Sequence, residues 1–133
     1  MKLVIFIILF SASITCFAQV EHNFNMSPEE TDCHQIPDLK PISPDSAISI
    51  ILNASYRFQE AITISRYRSP RKLSYFSCDG SVGYMVAQED DINFKLYSQM
   101  PKTIWDSLAN SNDPISFYKS SAIKQYQAKK PKK

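Results

Sequence analysis

The stretch LSYFSCDGSVGYMVAQ (Leu73–Gln88) alternates apolar and small polar residues on both sides of Asp79-Gly80. Alternation of period two predicts half-buried strands, and Asp-Gly is the preferred two-residue hairpin loop because both of its positions need positive φ. LSYFSC and SVGYMVAQ therefore read as two paired strands, with Val82, Tyr84 and Val86 on one face of the second. Downstream, Glu89-Asp90-Asp91 reads as an acidic turn, and INFKLYS (Ile92–Ser98) as another strand with Ile92, Phe94 and Leu96 inward. Upstream, SYRFQEAITISRY (Ser55–Tyr67) places Tyr56, Phe58, Ile62 and Ile64 on one parity, with Glu60 the exception. RSPRK (Arg68–Lys72) is a turn. About four strands in sequence predict an antiparallel β-meander.

The flanks of this block change period. Ser43 is a good N-cap, Pro44 suits the first helical position and Asp45 suits the positive helix end, so a helix is expected through about Asn53, with Ala47, Ile48, Ile50 and Ile51 as its apolar residues. After the strands, Pro101 opens a segment with Ile104, Trp105 and Leu108 at helical spacing. Asp113-Pro114 opens another, with Ile115, Tyr118, Ala122 and Tyr126 as one stripe. A run of strands flanked by helices predicts the α+β class: a meander packed by an N-terminal helix and two C-terminal helices, with the helices on one face of the sheet.

The chain is 133 residues long, which fits one small domain. Its start, MKLVIFIILFSASITCFAQ, has Lys2, an apolar run from Leu3 to Phe10 and small residues before Gln19. That pattern is a secretory signal peptide over 1–18, touching the membrane only in transit. A lipoprotein anchored through Cys16 is the lesser alternative. Residues 19–43 form an extended acidic arm, in which SPEE (Ser27–Glu30) suits a short helical turn, residues 44–127 the domain, and residues 128–133 a basic tail. The address implied is periplasmic or extracellular.

Export changes the cysteine arithmetic. Of three cysteines, Cys16 leaves with the signal peptide, and Cys33 and Cys78 remain. A pair in an oxidising compartment is most simply one disulfide. It closes a loop of about 45 residues, worth roughly 4 kcal/mol in the chain-entropy model. Charge is also segregated: from Val20 to Asp45 the acids Glu21, Glu29, Glu30, Asp32, Asp38 and Asp45 stand against a single base, Lys40, whereas the chain ends KKPKK. A bridge at Cys78 suggests that the acidic arm lies close to the basic RYRSPRK loop (Arg66–Lys72).

The segment LYSQMPKTIWDSLANSNDPISFYKSSAIKQY (Leu96–Tyr126) is similar to the small KTSC domain, named for the C-terminus of some lysyl-tRNA synthetases. The residues that carry the resemblance are Tyr97, Met100-Pro101, Ile104-Trp105, Leu108, the small turn Ser111–Asp113, and Phe117, Tyr118, Ile123, Lys124 and Tyr126. Lys95 stands where the family pattern has a second tyrosine, and the likeness begins at about residue 73. The resemblance implies a strands-then-helix module and, as an alternative function, nucleic-acid binding through Lys95, Tyr97 and the lysine tail.

Catalytic chemistry is poorly provided for. Two glycines, Gly80 and Gly83, exclude a phosphate-binding glycine loop. The two histidines, His22 and His34, both lie in the arm, so no base stands near Cys78 in sequence, and a half-cystine is expected there rather than a nucleophile. Asp32-Cys33-His34 lacks the third and fourth ligands of a zinc site, and Glu89-Asp90-Asp91 reads as a solvated turn rather than a calcium loop. The best surface candidate is Arg66, Tyr67, Arg68, Arg71 and Lys72, cations around an aromatic that suit anionic groups. The expectation is a non-catalytic exported binding domain, without cofactor, for a protein or an envelope polymer. A small secreted enzyme is the least favoured reading.

Overall fold

The computed structural model describes the backbone of residues 21–23, residue Cys33 and residues 42–129. The signal-peptide segment, Cys16, the SPEE turn, Asp32, His34 and the last four residues of the basic tail lie outside the described residues.

The chain runs β1 (Glu21–Asn23), α1 (Pro44–Asn53), β2 (Phe58–Thr63), β3 (Lys72–Ser77), β4 (Val82–Gln88), β5 (Phe94–Pro101), α2 (Lys102–Ala109), α3 (Pro114–Lys119) and α4 (Ser121–Lys124). The strands form one antiparallel meander in the order β1-β2-β3-β4-β5. The α+β class and the four expected strands are present. The acidic arm adds a short fifth one, β1, in register with Gln59–Ala61 of β2. Nothing in the polar EHN segment marks it as a strand; an edge position needs backbone groups and little side-chain pattern.

The helices cover both faces of the sheet rather than one. Ala47, Ile48 and Ile51 of α1 pack on Phe76, Val86 and Leu96. On the opposite face, Trp105, Leu108, Tyr118 and Ile123 of α2–α4 pack on Ile62, Leu73, Tyr75, Met85 and Tyr97. The strands carry the reason. β3 buries Leu73, Tyr75, Phe76 and Ser77 in near-continuous order, and β4 buries Met85, Val86 and Ala87. Successive side chains point to opposite faces, so a continuous apolar run must be covered on both sides.

Local chemistry sets the helix ends. Ser43 caps α1 by accepting from the Ser46 N–H, with Pro44 behind it and Asp45 in the first turn, as the sequence predicts. Asp113 caps α3 through the Ser116 N–H. The expected single final helix breaks at Ser120, whose backbone is extended, so the stripe through Ala122 and Tyr126 does not hold and Ile123 is the buried residue of α4.

The Asp79-Gly80 turn is also different in kind. Only Gly80 has positive φ, at 78°, and the connection runs over residues 78–81. The Asp79 carboxylate accepts from the N–H groups of Ser81 and Val82, while Ser77 Oγ accepts from the Gly80 N–H. These side chains do the closing that a two-residue turn does with backbone alone. The same bonds pull the Asp79 carboxyl down to about 2, led by the Ser81 N–H. Beside this turn, Gly83 is obligatory for a different reason: a Cβ there would sit 2.1 Å from the Phe76 carbonyl oxygen.

Candidate functional site

The two ends of the sheet differ. Cys33 is disulfide-bonded to Cys78, directly after β3. The RYRSPRK loop enters β3 at Lys72, the other end of the same strand. Six strand residues separate them by roughly 20 Å. The disulfide therefore places Cys33 itself at the end of the sheet away from the basic loop, while the acids that adjoin Cys33 in sequence lie outside the described residues. Cys78 is a half-cystine, as expected, with its partner packed on the α1 face.

Thr63 pairs with Lys72, Lys72 with Gln88, and Gln88 with Phe94. This register puts the β2–β3 loop (residues 64–71) and the β4–β5 turn (residues 89–93) side by side. Three sets of contacts join them. Arg71 N–H donates to the Gln88 carbonyl at 2.8 Å. The Arg71 guanidinium meets Asp91 at 2.5 Å. Ser69 Oγ donates to Glu89 Oε2 at 2.5 Å.

Glu89 is the hub. Its other oxygen accepts from the Tyr118 hydroxyl and lies 3.3 Å from Lys95 Nζ. Tyr97 in turn donates to Tyr118 at 2.8 Å. Partial burial pushes the Glu89 carboxyl up, but the Ser69 and Tyr118 hydrogen bonds and the Lys95 charge outweigh it, and the group titrates below its ordinary range. Burial raises Tyr118 far above a free phenol, and its bonds to Glu89 and Tyr97 add to the shift, so it remains a donor. The chain Tyr97–Tyr118–Glu89–Ser69 thus anchors both loops to α3 and β5.

The remaining carboxylates at this end are engaged locally. Asp90 accepts from the Asn93 side chain and from the N–H groups of Ile92 and Asn93, closing the turn. Asp113 is held below its usual range chiefly by Ser116, with a smaller contribution from the charge of Arg68. Glu89, Asp90 and Asp91 therefore point to three different tasks. Among the described residues no group of acidic, histidine or cysteine side chains is placed to hold a metal ion.

Cationic and apolar side chains project outward from the same loops, alongside the exposed Asp91. Tyr67 is 95% exposed and Ile92 is 83% exposed. Arg66, Arg68 and Lys72 are exposed, and among the described residues none is bound in an ion pair. Of the five sequence candidates, then, Arg66, Tyr67, Arg68 and Lys72 face solvent, whereas Arg71 braces the turn. Ile92 was expected inward with Phe94 and Leu96; only Leu96 is buried, because Asp90 curls residues 90–93 into a turn and β5 starts at Phe94. An isoleucine enclosed by Asp91 and Asn93 is the sequence signal for a turn-tip residue.

The residues that carry the KTSC resemblance sit elsewhere. Trp105, Leu108, Tyr118 and Tyr97 are buried in the α2–α4 core, and Pro101 ends β5 half-buried. Trp105 stacks on Tyr75 with ring centroids 5.4 Å apart and donates from Nε1 to Glu60 Oε2 at 2.5 Å. Glu60, the parity exception, is 3% exposed and also meets Lys102 Nζ at 2.9 Å. Asp106 holds the same ammonium at 2.5 Å. These groups pack the fold; Tyr97 offers no ring face to a nucleobase, and Lys95 is committed to Glu89.

An open groove of about 970 Å³ runs beside β5, lined by Phe94, Leu96, Lys95, Lys124, Pro44 and Ala128 among others. Among the described residues no helix is long and apolar enough to cross a membrane. A disulfide between Cys33 and Cys78 fits an oxidising compartment. The chain matches no family model, no curated protein and no solved structure.

Proposed function

We propose that this chain is an exported, non-catalytic binding domain whose loop end engages a protein partner at the cell envelope. The observation that carries the reading is the exposure of Tyr67 and Ile92, 95% and 83%, on two neighbouring loops that Glu89 and Arg71 tie together. A large apolar side chain on a held loop costs less to order when a partner covers it than one on a loose loop. Tyrosine and arginine are also the residue types that most often dominate protein interfaces. The disulfide and the signal-peptide pattern support export to the periplasm or beyond.

The test is comparative capture. Immobilised protein and a Tyr67→Ala/Ile92→Ala variant are exposed to the same envelope extract after their melting temperatures are shown to match. The expected result is a component retained by the parent and lost from the variant. Identical retention by both removes the loop end from consideration.

A further inference from the structure

We propose that the outer edge of β5 at Phe94, with the groove beside it, seats the lysine-rich segment Lys130–Lys133 of the same chain, which lies outside the described residues. The proposal does not depend on what the loop end binds. Its ground is a pairing that the described residues begin and do not finish. Residues 126–128 run antiparallel along the free edge of β5. Tyr97 bridges to Gln127, the Ser98 N–H donates to the Tyr126 carbonyl at 2.9 Å, and the Ala128 N–H donates to the Leu96 carbonyl at 2.9 Å. Backbone groups alternate sides along a strand, so Phe94, two residues before Leu96, turns its N–H and C=O to the same open edge. Asn93 faces the other way, its carbonyl accepting from the Glu89 N–H at 2.9 Å. Across the outer edge no backbone group among the described residues meets Phe94.

Carried on in the same register, Lys130 falls opposite Phe94 and exchanges both backbone hydrogen bonds with it. Pro131 then falls opposite Asn93 with its ring nitrogen on the outward side, where a strand loses nothing by lacking an N–H. A shift of one residue would set that nitrogen against a carbonyl instead. Lysine and proline are also residue types that outermost strands carry. Charge agrees with the register. The groove, of about 970 Å³, is lined by Asp45 of α1 and by Glu89 and Asp90 of the β4–β5 turn, while Lys124 and Lys129 belong to the segment that leads into it. Lys95, on β5 itself, is taken by Glu89 at 3.3 Å. Asp45 is exposed and in no ion pair among the described residues. Opposed residues of an antiparallel pair share a face, so Lys130 projects on the face of Phe94 and Leu96, where α1 with Asp45 lies. One residue, Lys129, separates the paired Ala128 from Lys130, and this short tether favours the chain's own segment over a second copy.

Amide exchange at Phe94 reads the seating directly, because this N–H has water as its partner unless the segment is in place. The expected result is exchange on the order of tenfold slower than an unprotected amide at low salt, and faster as salt rises. Lys130→Pro removes the N–H that meets the Phe94 carbonyl and is expected to return most of that tenfold. Lys129→Pro, whose nitrogen faces outward, is expected to leave it in place. Zero-length carbodiimide cross-linking should join Asp45 to Lys130 within one chain, and Asp45→Asn should lose that product. A Phe94 amide that exchanges freely in the parent, equal protection in Lys130→Pro and the parent, or equal loss in both proline variants overturns the inference. Protection that rises with protein concentration, with cross-links joining differently labelled copies, gives the edge to a second copy and overturns it as well.

Discussion

The two ends of the sheet are built by opposite means. At the Cys78 end, a disulfide, the Asp79 carboxylate and the Ser77 hydroxyl close the chain on itself. The Lys102–Glu60–Trp105 set fastens α2 to β2 on the α2–α4 face. At the loop end, Ser69, Glu89 and the buried Tyr118 tie two loops to the domain and leave Tyr67 and Ile92 in water. The first arrangement maximises internal satisfaction; the second fixes a shape and exposes what it fixes. Stability and recognition are thereby assigned to separate regions of a small domain, and substitutions can separate them.

The largest effect is expected from Trp105→Ala. It opens a cavity in the core and leaves Glu60 without its indole donor, which together should cost about 3–5 kcal/mol in urea denaturation. Trp105→Phe keeps most of the volume and isolates the lost hydrogen bond, at about 1–3 kcal/mol. Equal midpoints for Trp105→Phe and the parent would show that the Glu60 contact contributes nothing.

Removing the staple comes next. Cys33→Ala/Cys78→Ala should lower stability by about 2–4 kcal/mol and make the arm sensitive to protease, while binding at the loop end persists under folding conditions. A loss of binding in a folded variant would show that the two ends are coupled.

Glu89→Gln strikes the loop end from below. Replacing a carboxylate that accepts from Ser69 and Tyr118 and faces Lys95 should cost about 1–2 kcal/mol and raise amide exchange in residues 64–71 and 89–93. The pH dependence has a defined sign. A carboxyl held below its ordinary value contributes stability that is present above the ordinary carboxyl range and lost as pH falls through the lowered value. Acid should therefore loosen the loops in the parent, and Glu89→Gln should flatten that part of the profile. A variant with the parent's acid limb would show that Glu89 is not the hub.

The smallest stability change belongs to Tyr67→Ala and Ile92→Ala, both within about 0.5 kcal/mol of the parent, because neither side chain is packed. A substantial drop in melting temperature would mean that the loops depend on their tips.

Much of this division is legible in the chain. The cap Ser43-Pro44-Asp45, the meander and the Cys33–Cys78 pair follow from local chemistry, and Tyr67 with its arginines stands out by composition. The rest depends on distant partners. Glu60 breaks the alternation of β2 because Trp105, far along the chain, gives it a donor. The near-continuous apolar order of β3 and β4 carries the information that both faces are covered, but the alternating flanks obscure it. Ile92 falls at an inward parity only if the strand continues through it, and Asp90 stops that continuation with three hydrogen bonds. The position of Cys33 relative to the basic loop follows from the length of β3, which places the two ends of one strand far apart.

The most direct measurement is site-specific photo-cross-linking in exporting cells, with a photoreactive phenylalanine analogue placed at position 67 in one preparation and at position 82 in another. Val82 is the matching exposed apolar residue at the stapled end, 39% exposed. A discrete adduct from position 67 and none from position 82 is the predicted result. Adducts from position 82 alone, or the same adduct from both, would contradict the assignment of recognition to the loop end.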